Sequence, residues 1–252
     1  MVKLVGILNI TPDSFSDGGQ FVNPEVAIKH ATQLFHEGAS LVDVGAESTR
    51  PNAIPLSDEE EWHRLEPVLR TLLLRYPGKI SIDSYHPATI RKAFEIGPVI
   101  VNDVTGLNNQ EMIDLICHLK AQVIISHLPD MPIQEAHEKQ SVSDVKQVRN
   151  ELIYKARLLE AKGLPRSNII LDPGIGFGKT VEVNKELLKF AKKVPGYDVM
   201  IGYSRKRFLG DGRMELAPNL EAGEVAVANG AKYLRVHDVA GHKVLAHRRI
   251  KF

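Results

Sequence analysis

Eight short apolar segments recur along the chain, and each is followed by a polar residue of a kind that binds ligands or catalyses. Amphipathic stretches lie between the segments. This alternation is typical of buried parallel strands connected by helices. Eight repeats within 252 residues meet the requirement of a (β/α)8 barrel, the TIM barrel, whose active sites lie at the carboxyl ends of the strands. The sequence therefore predicts an α/β barrel with one functional face.

The polar residues that follow the segments are the first candidates for that face. In chain order they are Asn9, Glu47, Asp83, Asn102, His127, Asp172, Ser204 with Lys206, and Arg235 with His237. No linker or shift in composition divides the chain, so we expect one domain that spans residues 1–252. Two long loops, residues 10–23 and 45–57, lie on the same face, and loops of this length are usually lids or binding loops.

Charge and composition exclude several classes of protein. The formal net charge of +1 and the lack of a basic block argue against nucleic acid as a partner. The single cysteine, Cys117, excludes an internal disulfide and suits a reducing compartment. The apolar start, residues 2–10, is too short to span a membrane and lacks a signal-peptide cleavage site. We therefore expect a cytoplasmic protein with no membrane partner.

A glycine-rich segment, residues 172–180, has some features of a nucleotide-binding loop. The P-loop spacing fails because Pro173 stands where the first glycine belongs. The dinucleotide-binding spacing fails because Lys179 replaces the third glycine. Two interpretations remain, a loop whose glycines let a ligand approach the backbone and a purely structural turn.

Six of the strand-end residues form a polar set with a clear chemical character. Carboxylates at Asp83 and Asp172, with the amide of Asn102, suit a flat heterocycle that presents N–H and NH₂ donors. The cationic residues Lys206, Arg235 and His237 suit a substrate that carries phosphate. The competing interpretation is that these charges only pair with one another at the barrel mouth.

Seven segments of the chain resemble the dihydropteroate synthase family, in the family's order and over nearly the whole length. They are residues 6–19, 43–51, 82–84, 102–103, 171–179, 204–206 and 235–238. The first two are long and specific. The resemblance implies a transferase of folate biosynthesis that joins 6-hydroxymethyl-7,8-dihydropterin diphosphate to p-aminobenzoate, giving 7,8-dihydropteroate and pyrophosphate. These two small molecules are the partners that it implies, and Mg²⁺ is the cofactor.

The resemblance also implies a role for individual residues. The pterin is expected to contact Asp83, Asn102, Asp172, Lys206 and Arg235. The diphosphate is expected at Asn9, Arg50, Arg235 and His237, with Asn9 also a ligand of Mg²⁺. For p-aminobenzoate the expected contacts are Thr49, Pro51, Phe177 and Ser204. The residues expected to take part in catalysis are Phe15, Asp17, Arg50, Lys206 and Arg235.

The chain departs from the family pattern at three places. The extension before the first strand is shortened, and the usual Met-His-Met after strand five reads Ser126-His127-Leu128. The C-terminal helices are short, with the one near residues 220–229 expected to have about ten residues, or roughly 15 Å. Family members dimerise through these helices, so their shortness argues against a homodimer. The short C-terminal helices and the altered end of strand five leave open a non-catalytic pterin-binding paralogue that acts as sensor or scaffold. A methyltransferase that uses a reduced folate would share the pterin pocket, but it has no need of the first two motifs.

Overall fold

The strands of the protein close into a barrel. The computed structural model describes residues 1–11, 23–48, 53–129, 131–133, 135–136 and 139–246. Eight parallel strands follow one another around the barrel in chain order, and β1 pairs with both β2 and β8. The strands are β1 (Lys3–Asn9), β2 (Leu41–Gly45), β3 (Ile80–Asp83), β4 (Ile100–Asp103), β5 (Gln122–Ser126), β6 (Ile169–Asp172), β7 (Asp198–Ile201) and β8 (Tyr233–Val236). The predicted (β/α)8 fold is confirmed.

An α-helix follows each strand. The helices are α1 (Pro24–Glu37), α2 (Asp58–Arg75), α3 (Pro87–Ile96), α4 (Gln110–Leu119), α5 (Val145–Ala161), α6 (Val181–Leu187), α7 (Leu216–Ala228) and α8 (Val239–Ala246). Side-chain caps fix several of their starts. Ser57 and Glu60 form the predicted capping box at α2, and Asp144 caps α5 by accepting a hydrogen bond from the backbone N–H of Lys146.

Of the two C-terminal helices, α7 is longer than predicted and α8 is short, as predicted. Helix α7 has 13 residues and begins at Leu216, four residues before the expected start. Its N-cap residue, Glu215, makes no side-chain capping bond, so the usual sequence signal for a helix start is missing. Helix α8 has eight residues.

The barrel encloses an apolar layer that forms the floor of the functional face. One side chain from each of seven strands packs into a cluster inside the barrel: Val5, Leu41, Ile100, Ile124, Ile170, Met200 and Tyr233. The next residue along β1 faces outward, because a Cβ on Gly6 would contact Leu34 of α1 and Val239 of α8. Side chains alternate between the two faces of a strand, so the inward positions recur two residues later. Five of those positions carry polar side chains and form a polar layer above the apolar one: Asp43, Asn102, Ser126, Asp172 and Arg235. The other two carry Ile7 and Gly202.

A second core lies between the strands and the surrounding helices. The half-buried Cys117 packs against it, in agreement with a packing role. Within the part of the chain that the structure describes, no helix has the length and apolar character needed to cross a membrane.

Candidate active site

A buried carboxylate, Asp43 of β2, organises the polar layer. Its side chain is shielded from solvent and accepts hydrogen bonds from three others. The Ser81 hydroxyl donates over 2.6 Å, the Asn102 side-chain N–H₂ over 3.0 Å, and Nε of Arg235 over 2.6 Å. A buried charge is costly unless it is paired and hydrogen-bonded, and these three donors meet that cost. Asp43 therefore fixes the positions of two residues that were predicted to bind substrate.

Asp43 also determines which way the Asn102 amide points. Because Nδ2 donates to Asp43, the oxygen Oδ1 is directed elsewhere, and this buried atom has no partner among the described residues. A buried acceptor without a donor is unfavourable. Asn102 thus offers an oriented acceptor to an N–H group of a ligand.

Asp43 is a site residue that the strand-end pattern misses. The pattern selects polar residues that follow an apolar segment, whereas Asp43 lies within one. The available signal is the charge itself, since an ionised residue inside a buried strand requires partners.

Arg235 of β8 is held from two sides. Besides the bond to Asp43, its terminal nitrogen Nη2 lies 2.7 Å from Oδ2 of Asp83. The ion-pair interpretation of the barrel mouth therefore holds for Arg235 and Asp83. About a fifth of the Arg235 side chain remains accessible, so the guanidinium still borders open space. Burial raises the pKa of the Asp83 carboxyl, while the Arg235 charge opposes that rise.

A cavity of about 120 Å³ lies beside this arginine, above the apolar floor. It brings together six of the residues that were predicted to contact substrate: Asp83, Asn102, Asp172, Phe177, Lys206 and Arg235. Val104, Ser126, Gly174 and Gly202 complete its wall and were not predicted to contact substrate. Ser126, which stands at the departure from the family pattern, thus lines the same cavity as the predicted pterin contacts.

Lys206 and Asp172 have partners that leave both groups facing the cavity. Asp172 accepts a hydrogen bond of 2.8 Å from the backbone N–H of Gly174. The Lys206 ammonium donates to the carbonyl of Ile175 and lies 4.6 Å from the centre of the Phe177 ring. Burial lowers the pKa of Lys206 to about 8, against the attraction of Asp172. Burial also raises the pKa of Asp172.

The glycine-rich loop between β6 and α6 is held rigidly by a buried lysine. Nζ of Lys179 donates to the carbonyls of Phe177 and Gly174 at 2.8 and 2.9 Å, and to that of His127 at 3.3 Å. Gly174 has a φ of +63°, and a Cβ there would collide with the His127 carbonyl oxygen. Both sequence interpretations apply, because the loop is a braced turn and it also lines the cavity through Gly174 and Phe177.

Comparison with known proteins agrees with this geometry. A family model described as "Pterin binding enzyme" matches residues 5–237. The dihydropteroate synthase of Haemophilus influenzae is 36% identical over 247 residues, covering 94% of this chain and 89% of that protein. The chain belongs to the dihydropteroate synthase family of pterin-binding enzymes. A Streptococcus pyogenes dihydropteroate synthase is 38% identical over 253 residues, covering 95% of this chain and 91% of its own length.

Solved structures of dihydropteroate synthases share the fold over almost the whole chain. The Xanthomonas albilineans enzyme, solved with 4-aminobenzoic acid, has a TM-score of 0.87 at 34% identity and covers 97% of this chain and 91% of its own. The Burkholderia cenocepacia enzyme, complexed with 7,8-dihydropteroate, has a TM-score of 0.85 at 32% identity. The match covers 97% of this chain and 89% of that enzyme's chain. These relatives of the chain favour a synthase over a non-catalytic paralogue or a methyltransferase.

Three further predicted residues lie at the strand ends but away from the 120 Å³ cavity wall. The half-buried Asn9 ends β1 beside Gly45 of β2. Oγ of Ser204 lies 3.0 Å from Nδ1 of His237 and also accepts the His237 backbone N–H at 3.3 Å. Ser204 therefore positions a residue predicted to bind diphosphate, and its own contact with p-aminobenzoate stays a prediction. Five other residues predicted for the dihydropteroate synthase site lie outside the described residues: Phe15, Asp17, Thr49, Arg50 and Pro51.

Glu47 connects the two ends of the second long loop, residues 45–57, which we call the second loop. Its carboxylate accepts the backbone N–H of Leu56 at 3.2 Å and is bonded to the Tyr85 hydroxyl. His86 lies between two carboxylates. Its Nε2 is 3.3 Å from Oε2 of Glu47, and its Nδ1 is 2.6 Å from Oδ1 of Asp58. The hydrogen bond to Glu47 raises the pKa of His86 to about 9, although burial acts against it. Glu47 and His86 thus hold the described residues on the two sides of this loop, Glu47 and Leu56, next to each other.

Proposed function

We propose that the protein condenses 6-hydroxymethyl-7,8-dihydropterin diphosphate with p-aminobenzoate, giving 7,8-dihydropteroate and pyrophosphate. The observation that supports this most directly is the cavity at the strand ends. In a member of the dihydropteroate synthase family, it gathers two carboxylates, an oriented amide, a lysine and an arginine around one small space. This donor and acceptor pattern is complementary to a pterin ring and its charged leaving group.

Recognition of the pterin follows from the groups on the cavity wall. The carboxylates of Asp83 and Asp172 and the free oxygen of Asn102 accept hydrogen bonds from the ring N–H and NH₂ groups. Lys206 donates to the ring oxygen or a ring nitrogen. The planar guanidinium of Arg235, held by Asp43 and Asp83, offers a flat surface on which the ring stacks.

The reaction breaks the bond between the pterin methylene carbon and the diphosphate oxygen. The arylamine nitrogen then bonds to that carbon and loses a proton. Negative charge develops on the departing pyrophosphate. Cations held at the barrel mouth beside it therefore lower the activation barrier of the reaction. We assign this role to Arg235 and His237, together with Arg50 of the second loop.

The donor set at the diphosphate fits Mg²⁺. No group of three His, Cys, Asp or Glu side chains able to hold a metal occurs among the described residues. Asn9 supplies one amide oxygen at the end of β1. Mg²⁺ prefers oxygen ligands, keeps several waters and binds through substrate phosphates, so one protein oxygen is sufficient. When bound, the ion would supply additional positive charge to the leaving group.

Phe15 and Asp17 of the first loop, with Thr49 and Pro51 of the second, are proposed to enclose the reacting groups. Phe177 and Ser204 are proposed to contact p-aminobenzoate on the opposite side. Enclosure excludes water, which would otherwise compete with the arylamine for the electrophilic methylene carbon.

The test is release of pyrophosphate by folded protein in the presence of Mg²⁺. Release that requires both the pterin diphosphate and p-aminobenzoate supports the proposal. Pterin binding by calorimetry without any release would instead identify a non-catalytic pterin-binding protein. An Asp83→Ala variant with a wild-type circular dichroism spectrum is the matched control for the calorimetry, because it should lose the heat of pterin binding.

A further inference from the structure

Ser126 ends β5 and lines the 120 Å³ cavity, which we call the pterin cavity. The residue is only 6% exposed, yet its hydroxyl makes no hydrogen bond with any of the residues that the structure describes. A buried polar group without a partner is unfavourable, so this hydroxyl favours a ligand with a complementary atom. The family pattern has methionine at this position, and the hydroxyl is therefore a departure of this chain from that pattern.

The backbone around Ser126 is fixed from the strands on both sides. The N–H of the next residue, His127, donates to the carbonyl of Asp172 in β6 over 2.9 Å. Gly106, which follows β4, approaches so closely that a Cβ there would lie 2.7 Å from the Ser126 carbonyl oxygen. Rotation about the Cα–Cβ bond is therefore the main freedom that the hydroxyl retains.

The neighbours of Ser126 in the polar layer present acceptors to the cavity. Strand β5 lies between β4, which carries Asn102, and β6, which carries Asp172. Ser126 and Asp172 are paired in register. Asn102 directs its N–H₂ group to Asp43 and leaves Oδ1 without a partner among the described residues. The Ser126 hydroxyl thus places a donor between the amide oxygen of one neighbour and the carboxylate of the other.

The cationic donors of the cavity wall belong to the other side of the barrel. Lys206 follows β7 and donates to the carbonyl of Ile175. Arg235 of β8 donates to two carboxylates, those of Asp43 and Asp83. On the side formed by β4, β5 and β6, it is Ser126 that supplies a neutral donor.

The edge of a dihydropterin has the inverse pattern. Resting on the proposed function, the ligand is a 2-amino-4-oxo-7,8-dihydropterin. Its edge presents a ring N–H, the 2-amino group, the unprotonated ring nitrogen N1 and a second ring N–H, in that order. An acceptor therefore lies between donors on the ring, whereas a donor lies between acceptors on the wall.

We propose that Ser126 is a specificity-determining residue for the pterin, and that its hydroxyl donates a hydrogen bond to N1. Asp172 and Oδ1 of Asn102 accept from the donor groups on either side of that nitrogen. Without the hydroxyl, N1 would be buried between acceptors with no donor, which is costly. A site built to form a hydrogen bond rejects an analogue that lacks the matching atom. Wild type should therefore discriminate against a ring that carries C–H in place of N1.

The test measures two dissociation constants by calorimetry, for 6-hydroxymethyl-7,8-dihydropterin and for its 1-deaza analogue, in which C–H replaces N1. Wild type is expected to bind the 1-deaza analogue about tenfold more weakly, the effect of losing one buried hydrogen bond. Ser126→Ala is expected to bind the dihydropterin about tenfold more weakly than wild type does. In this variant the two dissociation constants should differ by less than about threefold, because the group that distinguishes the ligands is gone.

Two further variants separate the hydroxyl from other effects of substitution. Ser126→Thr keeps a hydroxyl and should keep the tenfold discrimination, even if its added methyl group weakens the binding of both ligands. Ser167→Ala removes an exposed serine that lies just before β6, at the opposite end of the barrel from the cavity, and should leave both dissociation constants unchanged. Thermal melting and circular dichroism verify that each variant is folded.

The remaining outcomes overturn the inference in distinguishable ways. If Ser126→Ala discriminated between the two ligands as strongly as wild type, the hydroxyl would not contact N1. If it bound both ligands more weakly by the same factor, the hydroxyl would contact a different atom of the pterin, and the assignment to N1 would be wrong. Either result leaves the proposed function intact. Folded wild-type protein that binds neither ligand and releases no pyrophosphate would refute the proposed function itself.

Discussion

Asp43 and Arg235 form an ion pair inside the barrel, with 2.6 Å between Oδ2 and Nε, although β1 lies between their two strands. The Asp43 side chain is fully shielded, whereas the Arg235 side chain is 21% exposed. The pair therefore joins the closed interior of the barrel to its open mouth. One edge of the guanidinium is used for positioning, and its face stays available to a ligand.

The first prediction concerns this pair. Asp43→Asn removes the charge that balances Arg235 and turns an acceptor oxygen into a donor facing other donors. Breaking a buried ion pair by removing one partner costs about 3–5 kcal/mol, so we expect the free energy of unfolding in urea to fall by about 3 kcal/mol. The lower end applies because Asp83 still pairs with Arg235.

Asp198→Asn is the matched control for Asp43→Asn. Asp198 also forms a 2.6 Å ion pair, with Lys232, but this pair is on the surface. Such pairs contribute about 0–1 kcal/mol, so the control should stay within that range. Equal losses in the two variants would show that Asp43 contributes nothing beyond an ordinary surface charge.

The second prediction separates pterin binding from turnover. Asp83→Ala removes an acceptor on the cavity wall and the second partner of Arg235, so we expect pterin affinity measured by calorimetry to fall at least about a hundredfold. Arg50→Ala is expected to lower kcat while the pterin dissociation constant changes by less than about threefold, since Arg50 is assigned to the leaving group. Unchanged pterin affinity in Asp83→Ala would contradict its assigned role.

Sequence patterns locate the barrel and much of its mouth because both depend on local periodicity. Asp83, Asn102 and Asp172 could be assigned to one face since parallel strands in a barrel end at the same side. The link between Asp43 and Arg235 could not, because the two residues are 192 positions apart and meet only when the barrel closes. The direction of a side chain could not be predicted from the sequence either. Ser204 is an example, because its hydroxyl is hydrogen-bonded to His237.

The third prediction is a pH dependence that originates at Lys206. Burial lowers the pKa of this group to about 8, so its positive charge is lost as the pH rises through that value. We expect kcat/KM to decline above about pH 8. Arginine stays charged to far higher pH, so in Lys206→Arg this decline should move upward, even if the maximum activity is lower.

Lys232→Arg is the control for the Lys206 profile, because Lys232 pairs with Asp198 on the surface and is remote from the cavity wall. It should retain the wild-type profile. If kcat/KM of Lys206→Arg declined at the same alkaline pH as that of wild type, the decline would have to originate at a different group.

The fourth prediction links stability to the charge on His86. Its pKa in the folded protein is raised to about 9, above the ordinary value of about 6.5. The charged form is therefore favoured by folding, and its contribution is complete below about pH 6.5 and disappears as the pH rises through 9. We expect wild type to melt higher than His86→Gln at pH 6, and this gap in Tm to close by about pH 9.5. His118→Gln, which removes an exposed histidine of α4, is the control for the effect of the substitution itself.

The last prediction concerns the braced glycine loop. Ala at position 174 would adopt a left-handed φ and would also place its Cβ against the carbonyl oxygen of His127. Gly163 has a φ of +90° and no atom within 4 Å of the position of a Cβ, so Gly163→Ala shares the conformational strain without the collision. That strain costs roughly 1–2 kcal/mol.

We therefore expect Gly163→Ala to lose about that amount in urea unfolding and Gly174→Ala to lose more than about 4 kcal/mol, a magnitude that requires a specific mechanism such as backbone collision. Where Gly174→Ala still folds, its pterin affinity should fall as well, because the displaced loop carries both Phe177 and the carbonyl that Lys206 contacts. Similar losses of stability in the two variants would show that the loop yields easily, and that the carbonyl bonds of Lys179 do not hold it rigid.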